Sequence, residues 1–399
     1  MSLSAASDEF FSSLPSPCFV VDEDRLAANL AVLNEVRERC GARILLALKA
    51  FAMFSVFPLL RASLDGVCAS SPHEARLGRE EFCAPGAERE VHVFAAAYSE
   101  ADVEDAARFA DHIIFNSPAQ LERLGPKARK AAGGDGRSLE FGLRLNPEHS
   151  EVSVPLYDPC APGSHLGTRV RALKGTSPAR LRELGVSGLH FHALCEQDAA
   201  PLVRTLDAVE EKFGEYLPGM RWLNCGGGHH ITRPGYDLDL LCGRLAGTAR
   251  KYGLQIYLEP GEAVALNAGV LVSTVLDIVY ADMPVAVLDT SAAAHMPDVL
   301  EMPYRPEVAQ AGYPGEKAWS CRLAGKSCLA GDVMGEYSFA APLTPGDKVI
   351  FLDMAHYSMV KTSTFNGLNL PGIAVSGLGG QSPRLVREFG YDDFKTRLS

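Results

Sequence analysis

The sequence predicts an α/β protein: a (β/α)8 barrel of the TIM type with a discontinuous C-terminal β-sandwich or β-barrel domain. Short β-type runs alternate with helical patterns from about residue 43 to 260, and eight such runs fit that span. After Gly261 the pattern changes to strands separated by Gly and Pro turns. A doubly wound open sheet has the same alternation and is the alternative for the first part.

The barrel strands are predicted, in order, at 42–49, 65–70, 89–97, 111–116, 138–146, 186–193, 220–225 and 254–260. Helical patterns fall between them, and several begin with Ser or Asp followed by acidic residues, which is typical of N-caps. The second set of strands is predicted at 269–281, 283–290, 319–331, 347–355 and 371–377, and the isolated run 17–23 could join it. The domains are then a barrel of 24–262 and a β-domain of 1–23 with 263–399.

Composition narrows the class of protein and its partners. The chain has 399 residues, 47% hydrophobic and 22% charged, which is the balance of a globular protein. Its net charge of −11 argues against a nucleic-acid partner and is compatible with a cationic small-molecule substrate.

Three further patterns concern the location of the protein. Ten cysteines without a C-x-x-C pair indicate reduced thiols, and the first residues lack a signal-peptide pattern. The apolar run 44–60 is short for a membrane span and contains Lys49 and Pro58. We therefore expect a cytoplasmic protein without a membrane partner.

Reactive residues recur where the predicted barrel strands end. They are Lys49, Arg144, His192, the run Gly226–Gly228, and Glu259. Each has an ordinary explanation alone: an ion-paired lysine, a core histidine, a glycine turn or a strand-ending Glu-Pro-Gly turn. Because the carboxyl ends of barrel strands converge on one pocket, their joint occurrence predicts an active site there.

This set of side chains fits pyridoxal 5′-phosphate. Lys49 in an apolar pocket would favour its neutral amine, which can bind the cofactor aldehyde covalently. Backbone N–H groups of Gly226–Gly228 would bind phosphate. Glu259 would keep the pyridine nitrogen protonated, and His192 would stack on the ring. A metal site made of His190, His192, His229 and His230 is disfavoured, because H-x-H on a strand brings no third ligand nearby.

Motifs along the chain carry a resemblance to a known family. They are ALKA around Lys49, then 157–167, 190–197, 224–230, 259–263, 289–306, 326–337 and 356–367. Over nearly its whole length the chain resembles the fold type III pyridoxal-phosphate decarboxylases, whose barrel is alanine racemase-like. Within them it is most similar to the carboxynorspermidine/carboxyspermidine decarboxylases of polyamine biosynthesis.

The resemblance implies roles for individual residues. Tyr357 would hold the phosphate with the glycine run, and Arg144 would support the cofactor. Cys328 and Asp332 would project into the partner subunit's site, so that a homodimer shares its active sites. Cys328 would return a proton to the substrate carbon, with a buried structural cysteine as the alternative, and Phe365 would shape the face where the carboxylate leaves.

Two departures from ornithine and diaminopimelate decarboxylases bear on the substrate. Those relatives have Arg after E-P-G, whereas this chain has Glu262, and its C-L-A-G-D run lacks the Glu that follows Cys in diaminopimelate decarboxylases. An acid at this position would attract an ammonium group of a polyamine-like substrate, with Asp298 as its second partner.

Three other functions compete with this prediction. A racemase of this fold would place Arg at the pyridine nitrogen and use Tyr as a second base, where this chain has Glu259 and Cys328. A non-catalytic cofactor carrier would lack the β-domain. Decarboxylation of ornithine, arginine or diaminopimelate is disfavoured by Glu262.

Overall fold

The computed structural model describes residues 8–11, 13–83, 88–132, 137–377 and 381–399. These residues form two compact units. Asn29–Val264 is the barrel unit, and the residues up to Ala28 together with Ala265–Ser399 form the β-domain unit.

The strands, in chain order, are β1 Cys18–Asp22, β2 Arg43–Ala47, β3 Gly66–Ala69, β4 Glu90–Phe94, β5 His112–Phe115, β6 Glu140–Arg144, β7 Val186–His190, β8 Trp222–Asn224, β9 Gln255–Leu258, β10 Gly269–Tyr280, β11 Pro284–Leu288, β12 Trp319–Gly325, β13 Val333–Phe339, β14 Lys348–Leu352, β15 Gly372–Ser376 and β16 Pro383–Arg387. Strands β2 to β9 are all parallel, and β9 pairs with β2 to close the barrel. The predicted (β/α)8 barrel is confirmed, and the open-sheet alternative is wrong.

The α-helices, in chain order, are α1 Asp8–Phe11, α2 Glu23–Cys40, α3 Phe57–Leu60, α4 Pro72–Leu77, α5 Glu100–Ala107, α6 Pro118–Ala131, α7 Pro178–Glu183, α8 Ala199–Phe213, α9 Leu238–Tyr252, α10 Glu262–Ala265, α11 Ala292–His295, α12 Asp298–Glu301, α13 Ser358–Lys361 and α14 Tyr391–Lys395. The predicted N-caps are present: the hydroxyls of Ser71, Ser99 and Ser117 accept the third backbone N–H of α4, α5 and α6. No described helix has both the length and the apolar character needed to cross a membrane.

Several strands end before the predicted boundary, which changes where the reactive residues lie. Strand β2 stops at Ala47, because the backbone N–H groups of Ala50 and Phe51 turn back to the Ala47 carbonyl. Lys49 therefore lies in a turn and does not close the strand. The apolar pattern runs past the strand ends because residues of the mouth loops, such as Phe51 and Phe191, are themselves buried.

The barrel interior is filled by large side chains. Trp222 of β8 packs there with Leu45, Ile114 and Tyr257. Glycines on the two preceding strands make room for it: a Cβ at Gly188 would lie 1.9 Å from the indole, and one at Gly142 would lie 2.4 Å from it. The interior is thus a packed core, which leaves the chemistry to the carboxyl ends of the strands.

The β-domain unit contains one eight-stranded mixed sheet. Its order is β13-β12-β11-β10-β1-β15-β16, with β14 also paired to β10. Strand β1 pairs antiparallel with β10 and parallel with β15, which confirms that the run 17–23 joins the second sheet. Strands β13 and β16 had no counterpart among the predicted strands.

Candidate active site

The barrel unit brings the predicted reactive residues to the carboxyl ends of its strands. Arg144 ends β6, and the glycine run begins two residues after β8. Lys49, His192 and Glu259 lie one or two residues beyond β2, β7 and β9.

Lys49 differs from the prediction of an apolar pocket, because its side chain is exposed while its neighbours Leu48 and Ala50 are buried. The turn after β2 leaves the lysine accessible at the mouth, where its charge acts on His192 and Glu74. An exposed primary amine at this place is accessible to a reactive carbonyl group.

His192 is held in one orientation by the glycine run. Its Nδ1 accepts a hydrogen bond of 3.0 Å from the backbone N–H of Gly227. Burial, followed by the charges of Lys49 and Arg144, holds the pKa of the imidazole well below its usual value. His192 is therefore neutral at physiological pH, with its proton on Nε2.

The first two backbone amides of the glycine run, which were predicted to bind phosphate, form hydrogen bonds within the barrel unit. The N–H of Gly226 donates to the side-chain oxygen of Asn224, and that of Gly227 donates to His192. Those two amides therefore have partners within the barrel unit, Gly228 is partly exposed, and the phosphate role of the run stays a prediction. A Cβ at Gly227 would lie 2.1 Å from the Glu259 carbonyl oxygen, which explains why this segment requires glycine.

Glu259 is a nearly buried carboxylate that stays ionised. Asn224 Nδ2 donates to its Oε1 at 2.7 Å, and His190 Nε2 lies 3.4 Å from its Oε2. Burial alone would raise the pKa of Glu259, but the imidazole of His190 at ion-pair distance lowers it well below the usual range.

Arg144 supports the site from below. Burial lowers its pKa to about 10. Its guanidinium donates to the His192 carbonyl at 3.1 Å and lies 4.4 Å from the centre of the Phe94 ring. Arg144 thus braces the backbone that carries His192.

The four histidines of the disfavoured metal site do not converge. His190 faces Glu259 and His192 faces Gly227, while Nδ1 of His229 lies 2.6 Å from the Tyr236 hydroxyl and Nε2 of His230 lies 3.2 Å from Glu262. Each ring therefore has a different partner.

Glu90, His92 and His112 form a separate cluster whose possible ligand atoms lie within 4.8 Å of one another. The two imidazoles stack at 3.9 Å with an angle of 12°, and Arg43 pairs with Glu90. Parallel rings direct their nitrogen lone pairs side by side, and the guanidinium already neutralises the carboxylate. The arrangement fits a buried ion-pair network better than a cation site.

In the β-domain unit, Cys328 lies in an exposed loop after β12, where its backbone N–H donates to the Asn366 side chain at 2.8 Å. This exposure excludes the alternative of a buried structural cysteine.

Asp332 is only 2% exposed, and its role at a partner subunit's site stays a prediction. Its carboxylate accepts backbone N–H groups from Ala293 and Ser327 at 3.1 and 3.2 Å. Through those bonds the side chain packs within the β-domain unit, where it stabilises the loop that carries Cys328.

Asp298 is a buried acid with one uncommitted oxygen. Its Oδ2 accepts the hydroxyls of Tyr304 at 2.6 Å and Ser358 at 3.1 Å, while its Oδ1 has no hydrogen-bond partner among the described residues. Such an atom is costly unless it meets a cation or a donor.

Two other predicted β-domain residues lie on short helical segments. Tyr357 precedes α13 with φ of 51° and ψ of −58°, a strained conformation for a bulky residue that is characteristic of functional positions. Phe365 is 42% exposed at the start of a short 3-10 turn.

His190 and Asn224 were missed as site residues by sequence reasoning. Both lie in quoted motifs, 190–197 and 224–230, but their role depends on the register His190↔Asn224 between β7 and β8. The signal available in the sequence was a polar residue at the last position of each of two consecutive barrel strands.

These residues define a class of protein. An accessible amine, a buried ionised carboxylate and a neutral planar imidazole at one barrel mouth fit an aldehyde cofactor with a basic ring nitrogen, which is the chemistry of pyridoxal phosphate. The family model described as "Pyridoxal-dependent decarboxylase, C-terminal sheet domain" matches residues 18–355. The chain belongs to this family and is a pyridoxal phosphate-dependent carboxy-lyase.

Relatives share nearly the full length of the chain. The chain is 45% identical to the carboxyaminopropylagmatine decarboxylase of Synechocystis sp., over 97% of this chain and 96% of the relative. It is 38% identical to the carboxynorspermidine/carboxyspermidine decarboxylase of Campylobacter jejuni, over 97% and 100%. The crystal structure of C. jejuni carboxynorspermidine decarboxylase complexed with norspermidine matches with a TM-score of 0.85, at 38% identity, over 96% and 100%.

Proposed function

We propose that this enzyme decarboxylates carboxynorspermidine, carboxyspermidine or both, in the biosynthesis of norspermidine and spermidine. The observation that carries the proposal is the 38% sequence identity, over nearly the full length of both chains, to the C. jejuni enzyme of that name. The two acids predicted to bind the substrate support it: Glu262 is a partly buried acid after β9, and Asp298 has a buried oxygen without a partner among the described residues. Both suit a substrate with several ammonium groups.

The geometry of the barrel residues supports the roles that we propose for them. When bound, pyridoxal phosphate supplies an aldehyde for a lysine and a ring that takes up the electron pair left by departing carbon dioxide. We propose that Lys49 holds the aldehyde, Glu259 faces the ring nitrogen, neutral His192 lies against the ring, and Arg144 braces His192. The Gly228 amide is left for phosphate.

The roles proposed for the β-domain residues rest on the resemblance. Tyr357 would bind the phosphate, Cys328 would donate the proton that replaces carbon dioxide, and Phe365 would shield the face where the carboxylate leaves. Exposure of Cys328 and the strained backbone of Tyr357 support these assignments.

Carboxyaminopropylagmatine is the second candidate substrate, favoured by the 45% identity to the Synechocystis enzyme. It shares the amino-acid head and the secondary amine of the carboxylated triamines but ends in a guanidinium. A guanidinium can bind a carboxylate through two parallel hydrogen bonds, whereas an ammonium acts as a point charge.

The test is carbon dioxide release from carboxynorspermidine, carboxyspermidine, carboxyaminopropylagmatine, ornithine, arginine and diaminopimelate under identical conditions. We expect kcat/KM for a carboxylated triamine to exceed that for the last three by about a hundredfold or more. A preference for carboxyaminopropylagmatine would establish the second candidate, and a preference for ornithine, arginine or diaminopimelate would contradict both. Retention of the carboxylate with racemisation would establish the racemase alternative.

We further propose a cytoplasmic homodimer with shared active sites. All ten cysteines are free thiols, which supports a reducing compartment. If Lys49 and Cys328 of different subunits serve one site, mixing inactive Lys49→Ala and Cys328→Ala chains should restore part of the activity. A mixture that contains confirmed heterodimers but stays inactive would contradict the shared site.

A further inference from the structure

Glu259 is held on both of its oxygens by residues from neighbouring strands. His190 ends β7 and Asn224 ends β8, and the two are paired in register. Asn224 donates to Oε1, the His190 ring lies 3.4 Å from Oε2, and the Glu259 backbone N–H donates to Gly226 at 2.7 Å. The carboxylate therefore has one neighbour on each oxygen, Asn224 by a hydrogen bond and His190 at ion-pair distance, and its backbone is anchored separately.

His190 has little else to bind. The side chain is 2% exposed and packs beside the Phe94 ring at 5.6 Å between ring centres. Neither ring nitrogen has hydrogen-bond geometry with any described residue, and Nε2 lies 3.4 Å from Oε2 of Glu259, within ion-pair distance. A buried imidazole without a hydrogen bond is costly, and the carboxylate of Glu259 is the polar group that the ring faces.

The imidazole and the carboxylate also affect each other electrostatically. Burial lowers the pKa of His190, and the negative charge of Glu259 opposes that shift. The other charged or titratable groups that influence His190 are Arg144 and His92, which both disfavour its protonation.

We propose that His190 is a positioning residue which, with Asn224, fixes the Glu259 carboxylate in the orientation needed at the cofactor ring nitrogen. His190 touches neither the reacting carbon nor the substrate in this role. The inference rests on the proposed assignment of Glu259 but not on the identity of the substrate.

The experiment compares His190→Leu, which removes the ring nitrogens, with His190→Gln, which keeps an N–H at similar reach. The readouts are the affinity of the apoenzyme for pyridoxal phosphate, the absorbance of the bound cofactor against pH, and kcat and KM. We expect His190→Leu to weaken cofactor binding and lower kcat by about tenfold each with KM nearly unchanged, and His190→Gln to recover most of both. His229→Leu is the control, because this buried histidine contacts Tyr236 and not Glu259.

A double-variant cycle separates positioning from packing. In a Glu259→Gln background, His190→Leu should cause no further change in cofactor affinity or absorbance, because the charge it positions is gone. Additive effects, or equal losses in His190→Leu and the His229→Leu control, would overturn the proposal. If Glu259→Gln alone leaves the cofactor spectrum unchanged, the assignment of Glu259 is wrong and the inference falls with it. The result of the substrate comparison does not depend on this inference.

Discussion

At the scale of single residues, the chemical type of a side chain indicated its possible role better than it indicated where the side chain lies. Lys49, His192 and Glu259 were predicted as site residues because a reactive side chain beside an apolar run is unusual. The sequence says less about Asp332, since an acid in a loop has the same pattern whether it faces a ligand or accepts hydrogen bonds from its own backbone.

Asp332→Ala tests the structural role of that acid. Two backbone N–H groups, of Ala293 and Ser327, would lose their acceptor in a buried place. We expect the free energy of unfolding to fall by about 2 kcal/mol or more, with KM for the preferred substrate changed less than about threefold. Urea denaturation and steady-state kinetics measure the two quantities. Exposed Asp282→Ala is the control, and a large rise in KM with unchanged stability would restore the substrate role.

At the scale of elements, the strands of the barrel depend on glycines as much as on apolar residues. Gly188 and Gly142 were invisible as core positions, because a residue without a side chain gives no periodic signal. Their importance appears only when the register of β6, β7 and β8 brings Trp222 against them.

Gly188→Ala should be strongly destabilising, because its Cβ would lie 1.9 Å from the rigid indole of Trp222. We expect a loss of about 3 kcal/mol in the free energy of unfolding. Gly247→Ala is the matched control: this glycine lies within α9 with no atom within 4 Å of the added methyl, so a gain of about 0.5–1 kcal/mol is expected. Equal stabilities of the two variants by chemical denaturation would refute the packing model.

Local pattern therefore predicted which elements exist but not where each one ends. Eight barrel strands and the serine caps at Ser71, Ser99 and Ser117 follow from periodicity and capping chemistry. The ends of β2, β7 and β9 do not, because buried loop residues continue the apolar run. The partners of Glu259 required strand register, which a single sequence does not contain.

At the scale of the whole molecule, buried histidines make stability depend on pH. Burial lowers the pKa of His229 to about 3 and that of His295 to about 4, and it holds that of His112 well below its usual value. An unfolded histidine titrates near 6.5. Between about pH 6.5 and pH 4 the unfolded chain thus binds protons that the folded chain does not, so stability falls as the pH falls.

Urea denaturation at about pH 7.5 and about pH 5 should reveal this loss of stability, with up to about 1.4 kcal/mol per pH unit for each such histidine in that window.

Glu90 adds a second loss of stability at lower pH. Burial would raise its pKa, but hydrogen bonding and charge from His92 lower it to about 2. The stabilisation of the folded state by ionised Glu90 is complete above about pH 4.5 and disappears toward pH 2. Stability that is flat from pH 7.5 to 5 would contradict the prediction.

The hydrogen bond from Gly227 to His192 has a further consequence. A ring whose Nδ1 lone pair is engaged cannot pass protons from one side to the other, so His192 is restricted to a fixed dipole with one N–H. In the role proposed for His192 against the cofactor ring, proton transfer to the substrate would therefore fall to other groups. The backbone of Gly227 fixes which nitrogen of this imidazole carries the hydrogen.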